Sequence, residues 1–188
     1  DDLVVDVSLI LPRLLPGYLL KVELSPHQGN AGNGWYVYQE RRGILGQAMK
    51  TTDADYDPHT GTVWFKSPGD NLGEAVGSTL GADSAELNRD GAFTTHVMVR
   101  MLANRDERDG STSFYCARAC GPTPEDAKTS LAKLLSSAEQ LEAETQTWWN
   151  TYLNDVPRLE TPDDSFSKNV LWSWPDFRMN RIDVPIGD

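Results

Sequence analysis

At Gly121-Pro122 the hydrophobic period of this chain changes, and no other feature limits its possible folds as strongly. Upstream, apolar residues alternate. In Tyr18 to Leu24, the residues Tyr18, Leu20, Val22 and Leu24 share one side while Lys21 and Glu23 share the other, the two-residue repeat of a half-buried strand. Leu3 to Ile10, Trp35 to Tyr38 and Thr62 to Phe65 also read as strands, and Ile44 to Met49 as a weaker one. Gly29 to Gly34 and Asp53 to Gly61 read as turns, and the small, polar stretch Ser67 to Arg89 mostly as loop. Ala92 to Leu102 places Phe93, Thr95, Val97 and Val99 on one face. After the charged turn Asn104 to Gly110, Ser111 to Cys120 returns, so these two strands are expected as a hairpin. Strands at short intervals, joined by turns, predict antiparallel sheets and most simply a sandwich.

Downstream the spacing becomes helical. Thr123 is placed to cap a helix, Pro124 suits its first position, and Asp126 sits where a capping box has Glu. Leu131, Leu134, Ala138, Leu141, Trp148 and Tyr152 then fall on one stripe, and neither Gly nor Pro interrupts Ala127 to Val156. One helix from Pro124 to Leu153 is predicted, about 45 Å long at the rise of an α-helix. An apolar stripe of that length needs a surface to lie against. After the irregular segment Arg158 to Ser165, the chain turns aromatic, and Pro175 limits any helix there to about two turns.

The fold class expected is therefore mainly β: an antiparallel sandwich over 1–121, a long linker helix within 122–157, and an aromatic segment over 158–188. At 188 residues and 39% apolar content, a hydrophobic core needs no staples. A net charge of −11 repels nucleic acid and anionic membranes, so neither is an expected partner. An acidic surface suits a neutral partner such as a sugar. No stretch approaches the roughly 20 apolar residues that span a bilayer. The sequence opens on Asp1-Asp2 without a signal peptide, and a signal already cleaved or lying upstream leaves the compartment open; a soluble, cytoplasmic protein is expected over a secreted one. Cys116 and Cys120 share one strand, where four residues span about 13 Å, beyond disulfide reach. Both are expected as buried free thiols.

Residues that could carry chemistry are few. Gly77-Ser78-Thr79-Leu80-Gly81 has its Ser one place too early for a nucleophile elbow. Asp53-Ala54-Asp55-Tyr56-Asp57 has the alternating carboxylates that open a calcium loop, but Pro58 and Trp64 stand where Gly and Glu are needed. His27, His59 and His96 are scattered and read as structural. No cofactor, metal site or catalytic residue is assigned. The segment Trp172-Ser173-Trp174-Pro175-Asp176-Phe177-Arg178 is the most suggestive, because flat rings stack on sugar faces while Asp and Arg satisfy hydroxyls. Packing of those rings against the long helix or an absent partner is the competing reading.

The order of parts resembles a known family. The strand Ser113-Phe114-Tyr115-Cys116 leads to a Thr-Pro-Glu-Asp-Ala helix start. The helix ends in Thr147-Trp148-Trp149-Asn150-Thr151-Tyr152-Leu153, and Val156-Pro157-Arg158-Leu159 and Thr161-Pro162-Asp163-Asp164 follow. Over about residues 60 to 188, this resembles the N-terminal region of bacterial glycoside hydrolases with an (α/α)6 barrel, the six-hairpin glycosidases. The resemblance implies a β-supersandwich joined by linker helices to a catalytic barrel, which becomes the expected partner, in the same protein or a second chain. It implies a carbohydrate substrate, an oligosaccharide or glucoside, and catalytic carboxylates beyond this chain. It makes Trp172, Trp174, Asp176 and Arg178 candidates for substrate contact. The alternative reading is a stand-alone carbohydrate-binding or structural β-sandwich without catalysis.

Overall fold

The structure, a computed structural model, describes residues 3–26, 34–42, 53–66, 72–90, 94–157 and 161–169. They fall into two compact units, Asp1–Glu142 and Ala143–Asp188.

In the first unit the strands form two antiparallel sheets. Their ranges are β1 Leu3–Ile10, β2 Gly17–Pro26, β3 Gly34–Arg42, β4 Asp53–Tyr56, β5 Val63–Lys66, β6 Gly73–Ser78, β7 Ala82–Asp90, β8 Thr94–Asn104 and β9 Thr112–Gly121. Among the described residues, sheet A has six strands in the order β1-β2-β9-β6-β5-β4, and sheet B three in the order β3-β8-β7. The alternation read in β2 holds: Leu24 faces sheet B, joined by Leu20 and Val22, while Leu19 faces the other way. Between the sheets, Val63, Phe65 and Val76 meet Val97, Val99 and Met101.

Helix α1 (Pro124–Ser136) covers the opposite face of sheet A. Its Ala127, Leu131 and Leu134 close over Leu19, Ala75, Ala117 and Ala119. The expected start is observed: the Thr123 hydroxyl accepts the Asp126 N–H at 3.2 Å and donates to the Asp126 carboxylate at 2.6 Å.

Four expectations are corrected. The stretch Ser67 to Arg89 is not mostly loop, since it supplies β6 and β7. Its small residues conceal a central strand because α1 passes directly over it. A Cβ on Gly73 would overlap the Pro124 backbone, and one on Gly77 would lie 3.0 Å from a Leu135 methyl. Gly73→Ala should therefore force the helix start off the sheet at a cost of about 1–3 kcal/mol, read as a lower denaturant midpoint.

The expected hairpin of β8 and β9 does not form, because the two strands lie in different sheets. Each has both edges filled, β8 by β3 and β7, β9 by β2 and β6. Asp53 to Tyr56 is a strand, and the β4–β5 turn begins at Asp57. Finally, the single long helix is two segments, α1 and α2 (Ala138–Asp155). Ser137 between them leaves helical geometry at φ −120° and ψ 21°. The ladder continues on both sides, with Ser137 N–H on the Lys133 carbonyl at 3.2 Å and Leu141 N–H on the Ser137 carbonyl at 2.9 Å. Adjacent Ser136 and Ser137 account for the interruption, since serine hydroxyls compete for helix carbonyls and Ser136 bonds that of Lys133 at 3.3 Å.

Edge strand β1 is exposed along both faces up to Ile10, including Leu3, Val5, Val7 and Leu9. In the second unit, residues 164–169 are helical, started by Asp163, whose carboxylate accepts the Ser165 and Phe166 N–H groups at 2.9 and 3.1 Å. Ile44 to Met49 lies outside the described residues.

Candidate functional site

The residues singled out for substrate contact, Trp172, Trp174, Asp176 and Arg178, lie outside the described residues, as does His27. His96 belongs to β8. His59 sits in the β4–β5 turn, where its N–H donates to the Asp57 carboxylate at 2.8 Å and its carbonyl accepts the Ala82 N–H at 3.2 Å. Asp55 likewise accepts the Tyr56 N–H at 2.9 Å. Local N–H groups thus occupy carboxylate oxygens that a calcium loop would spend on the ion, and among the described residues no cluster of His, Cys, Asp or Glu could hold a metal.

A cavity of about 410 Å³ opens where α1 gives way to α2. Thr79, Ser113, Ser136, Ser137, Glu139 and Gln140 line it beside Tyr115. The wall is held from behind by hydrogen bonds between β6 and β9: Ser78 donates its hydroxyl to the Tyr115 carbonyl at 3.0 Å, and the Tyr115 N–H donates to the Thr79 hydroxyl at 3.0 Å.

Beside the cavity, Tyr115 donates its phenol to one oxygen of Glu142 at 2.5 Å, and Lys21 donates to the other at 3.2 Å. Lys21 also lies 3.6 Å from Glu23. The Tyr115 phenol, above all, and Lys21 hold the Glu142 carboxyl below its ordinary value, and burial together with Glu142 pushes the phenol up. With both oxygens engaged, Glu142 is an ionised anchor that ties the start of α2 to sheet A, not a proton donor for catalysis.

A carboxylate held down on folding stabilises above its unfolded pKa near 4.5, and that stability is lost as pH falls through the lower folded value. Glu142→Gln should therefore reduce the difference in melting temperature between pH 7 and pH 3. No local pattern marks this trio, since Lys21 and Glu142 are 121 positions apart and only the fold joins them.

Between the sheets, Arg41 is fully buried, donating to Gln39 at 2.9 Å and to the carbonyl of Gly61, a turn residue at φ +66° that a side chain would strain. Burial pushes its guanidinium down to about 10. It neighbours Cys116, whose thiol burial pushes up. Cys116 is buried and Cys120 half-buried, both unpaired as their strand spacing requires. In the second unit, Trp148 stacks on Tyr152 with centroids 5.5 Å apart, and Trp149 meets both edge-on at 4.7 and 5.7 Å. One turn of helix places Trp148 over Tyr152.

Among the described residues, no helix is long and apolar enough to cross a membrane. No protein-family model matches the sequence, and no curated protein does. Solved structures do match the fold. A putative kojibiose phosphorylase from human microbiome superposes with a TM-score of 0.61 at 12% identity, over 90% of this chain and 24% of its own. A bacterial glucoamylase, solved in complex with acarbose, superposes with a TM-score of 0.52 at 9% identity, over 82% of this chain and 25% of its own. This chain therefore shares its fold with about a quarter of each of those two enzymes, in line with the order of parts read in the sequence.

Proposed function

We propose that this chain is the non-catalytic N-terminal part of a carbohydrate-active enzyme, a glycoside hydrolase or phosphorylase acting on oligosaccharides or glucosides. The observation that carries the reading is the asymmetry of coverage: 82–90% of this chain, but only 24–25% of the two enzymes. Residues 1–121 are the β-sandwich, 122–157 the helical connector, and 158–188 the approach to a catalytic (α/α)6 barrel. That barrel supplies the carboxylates, in the same protein or a second chain. The exposed β1 face of Leu3, Val5, Val7 and Leu9 supports a larger assembly, because soluble proteins rarely leave an apolar edge strand bare. Trp172, Trp174, Asp176 and Arg178 stand at the barrel's entrance, where they touch sugar.

The test compares this chain with any longer product of its reading frame. The longer protein should cleave or phosphorolyse an oligosaccharide, with a raised KM after Trp174→Ala, while the 188-residue chain should release no product. Turnover by the chain alone, abolished by replacing one of its own Asp or Glu residues, would defeat the reading.

A further inference from the structure

The outward face of sheet B presents side chains that neither the fold nor the proposed connector role uses. Along β3, Val37 joins the core between the sheets and Arg41 is buried, while Tyr36 and Tyr38 point outward at 60% and 65% exposure. Two such residues on one strand face stand about 6.8 Å apart. Arg100 of β8 lies directly opposite Tyr38 in the register, and its guanidinium carbon is 5.2 Å from the Tyr36 ring centroid. Asp83 grips the same guanidinium at 2.6 Å. The bulge between Ala82 and Ser84 in β7 makes that grip possible. An extra residue in one strand re-aims a side chain, and here it aims Asp83 at Arg100.

We propose that this face, centred on Tyr36, Tyr38 and Arg100, binds a neutral oligosaccharide chain. Phenol rings offer flat apolar faces to the C–H side of a sugar ring, and the Arg100–Asp83 pair offers donors and acceptors to its hydroxyls. Because Asp83 balances Arg100, no net positive charge remains to select an anion, and the chain's net charge of −11 opposes polyanions. The patch is also narrow. From Tyr36 to Tyr38 and across β3, β8 and β7, it covers about 7 Å by about 10 Å. A stable protein partner needs about 800 Å² on each side. Exposed Glu40 and Glu86 bound it. Asp83 and the Tyr36 ring hold the Arg100 guanidinium before any ligand arrives, which lowers its ordering cost on binding. From the proposed function this takes only the ligand class, sugar.

The experiment is electrophoresis of the 188-residue chain through gels containing soluble neutral polysaccharides: an α-1,4-glucan, dextran, a mixed-linkage β-glucan and xyloglucan. At least one should retard the chain. A Tyr36→Ala/Tyr38→Ala variant should bind about tenfold more weakly or worse, at an unchanged melting temperature, because losing two stacking faces removes the centre of the contact. Leu14→Ala, on an exposed site elsewhere, should bind as the parent does.

Three results overturn the proposal: no retardation in any gel, retardation indifferent to the tyrosines, or a dimer that the double variant dissociates. The two readings fail separately. An active longer product with no gel retardation removes the platform alone. Tyrosine-dependent retardation with an inactive longer product removes the enzyme reading alone.

Discussion

Replacing Leu134 by Asp should unfold the β-domain or leave it barely stable, a loss of about 4 kcal/mol or more. Leu134 is 0% exposed in the core shared by α1 and sheet A, and its side chain reaches the Gly17 position of β2. Removing the leucine alone forfeits about 2–5 kcal/mol through lost burial and a cavity. The aspartate adds an unpaired charge against an apolar sheet. Since domains are stable by only about 5–15 kcal/mol, the variant should melt far below the parent or express insolubly. Leu141→Asp should cost less, because Leu141 is only partly buried at the margin of the same core. Lys133 and Glu139 are exposed, and their replacement should shift the melt little. Equal losses on both faces would contradict the placement of α1.

The second large effect should come from Arg118→Met. Arg118 of β9 and Glu74 of β6 form an ion pair on the inter-sheet side of sheet A, with side chains 14% and 1% exposed. Register explains the meeting: Val76 faces Arg118 and Glu74 faces Cys120, so the two charges are diagonal neighbours on one face. Removing one member of a buried pair takes away the countercharge beside which the other is buried and costs about 3–5 kcal/mol. The Glu74→Gln/Arg118→Met double variant should recover part of that loss, since the buried carboxylate is then also gone. Denaturant melts of the single and double variants measure the coupling. A double variant no more stable than Arg118→Met would show that the pair is not the source of the effect.

Which parts of this molecule its sequence dictates follows from what local patterns can record. Alternation recorded the faces of β2 and the inward Val97 and Val99 of β8. Thr123, Pro124 and Asp126 fixed where the helix starts, because a cap is satisfied within four residues. Two cysteines in one strand could not pair. The same alternation is silent about hydrogen-bond partners. It could not show that β8 and β9 separate into different sheets, because the inward residues of both face one core in either topology.

Nor could composition reveal β6. Its Gly73, Ala75 and Gly77 imitate a loop, and only the approach of Pro124, Leu131 and Leu135 shows why side chains there must be small. The Tyr36–Tyr38–Arg100 face was half visible. The strand placed both tyrosines on one side, but Arg100 arrives by pairing and Asp83 by a bulge. Lys21, Tyr115 and Glu142 meet for the same kind of reason. Period and capping are settled within a few residues, so the sequence by itself determined the strands they mark, the helix start and the unpaired thiols. Sheet partners, close helix approach and side-chain constellations depend on residues tens to more than a hundred positions away, and only the tertiary structure decided those.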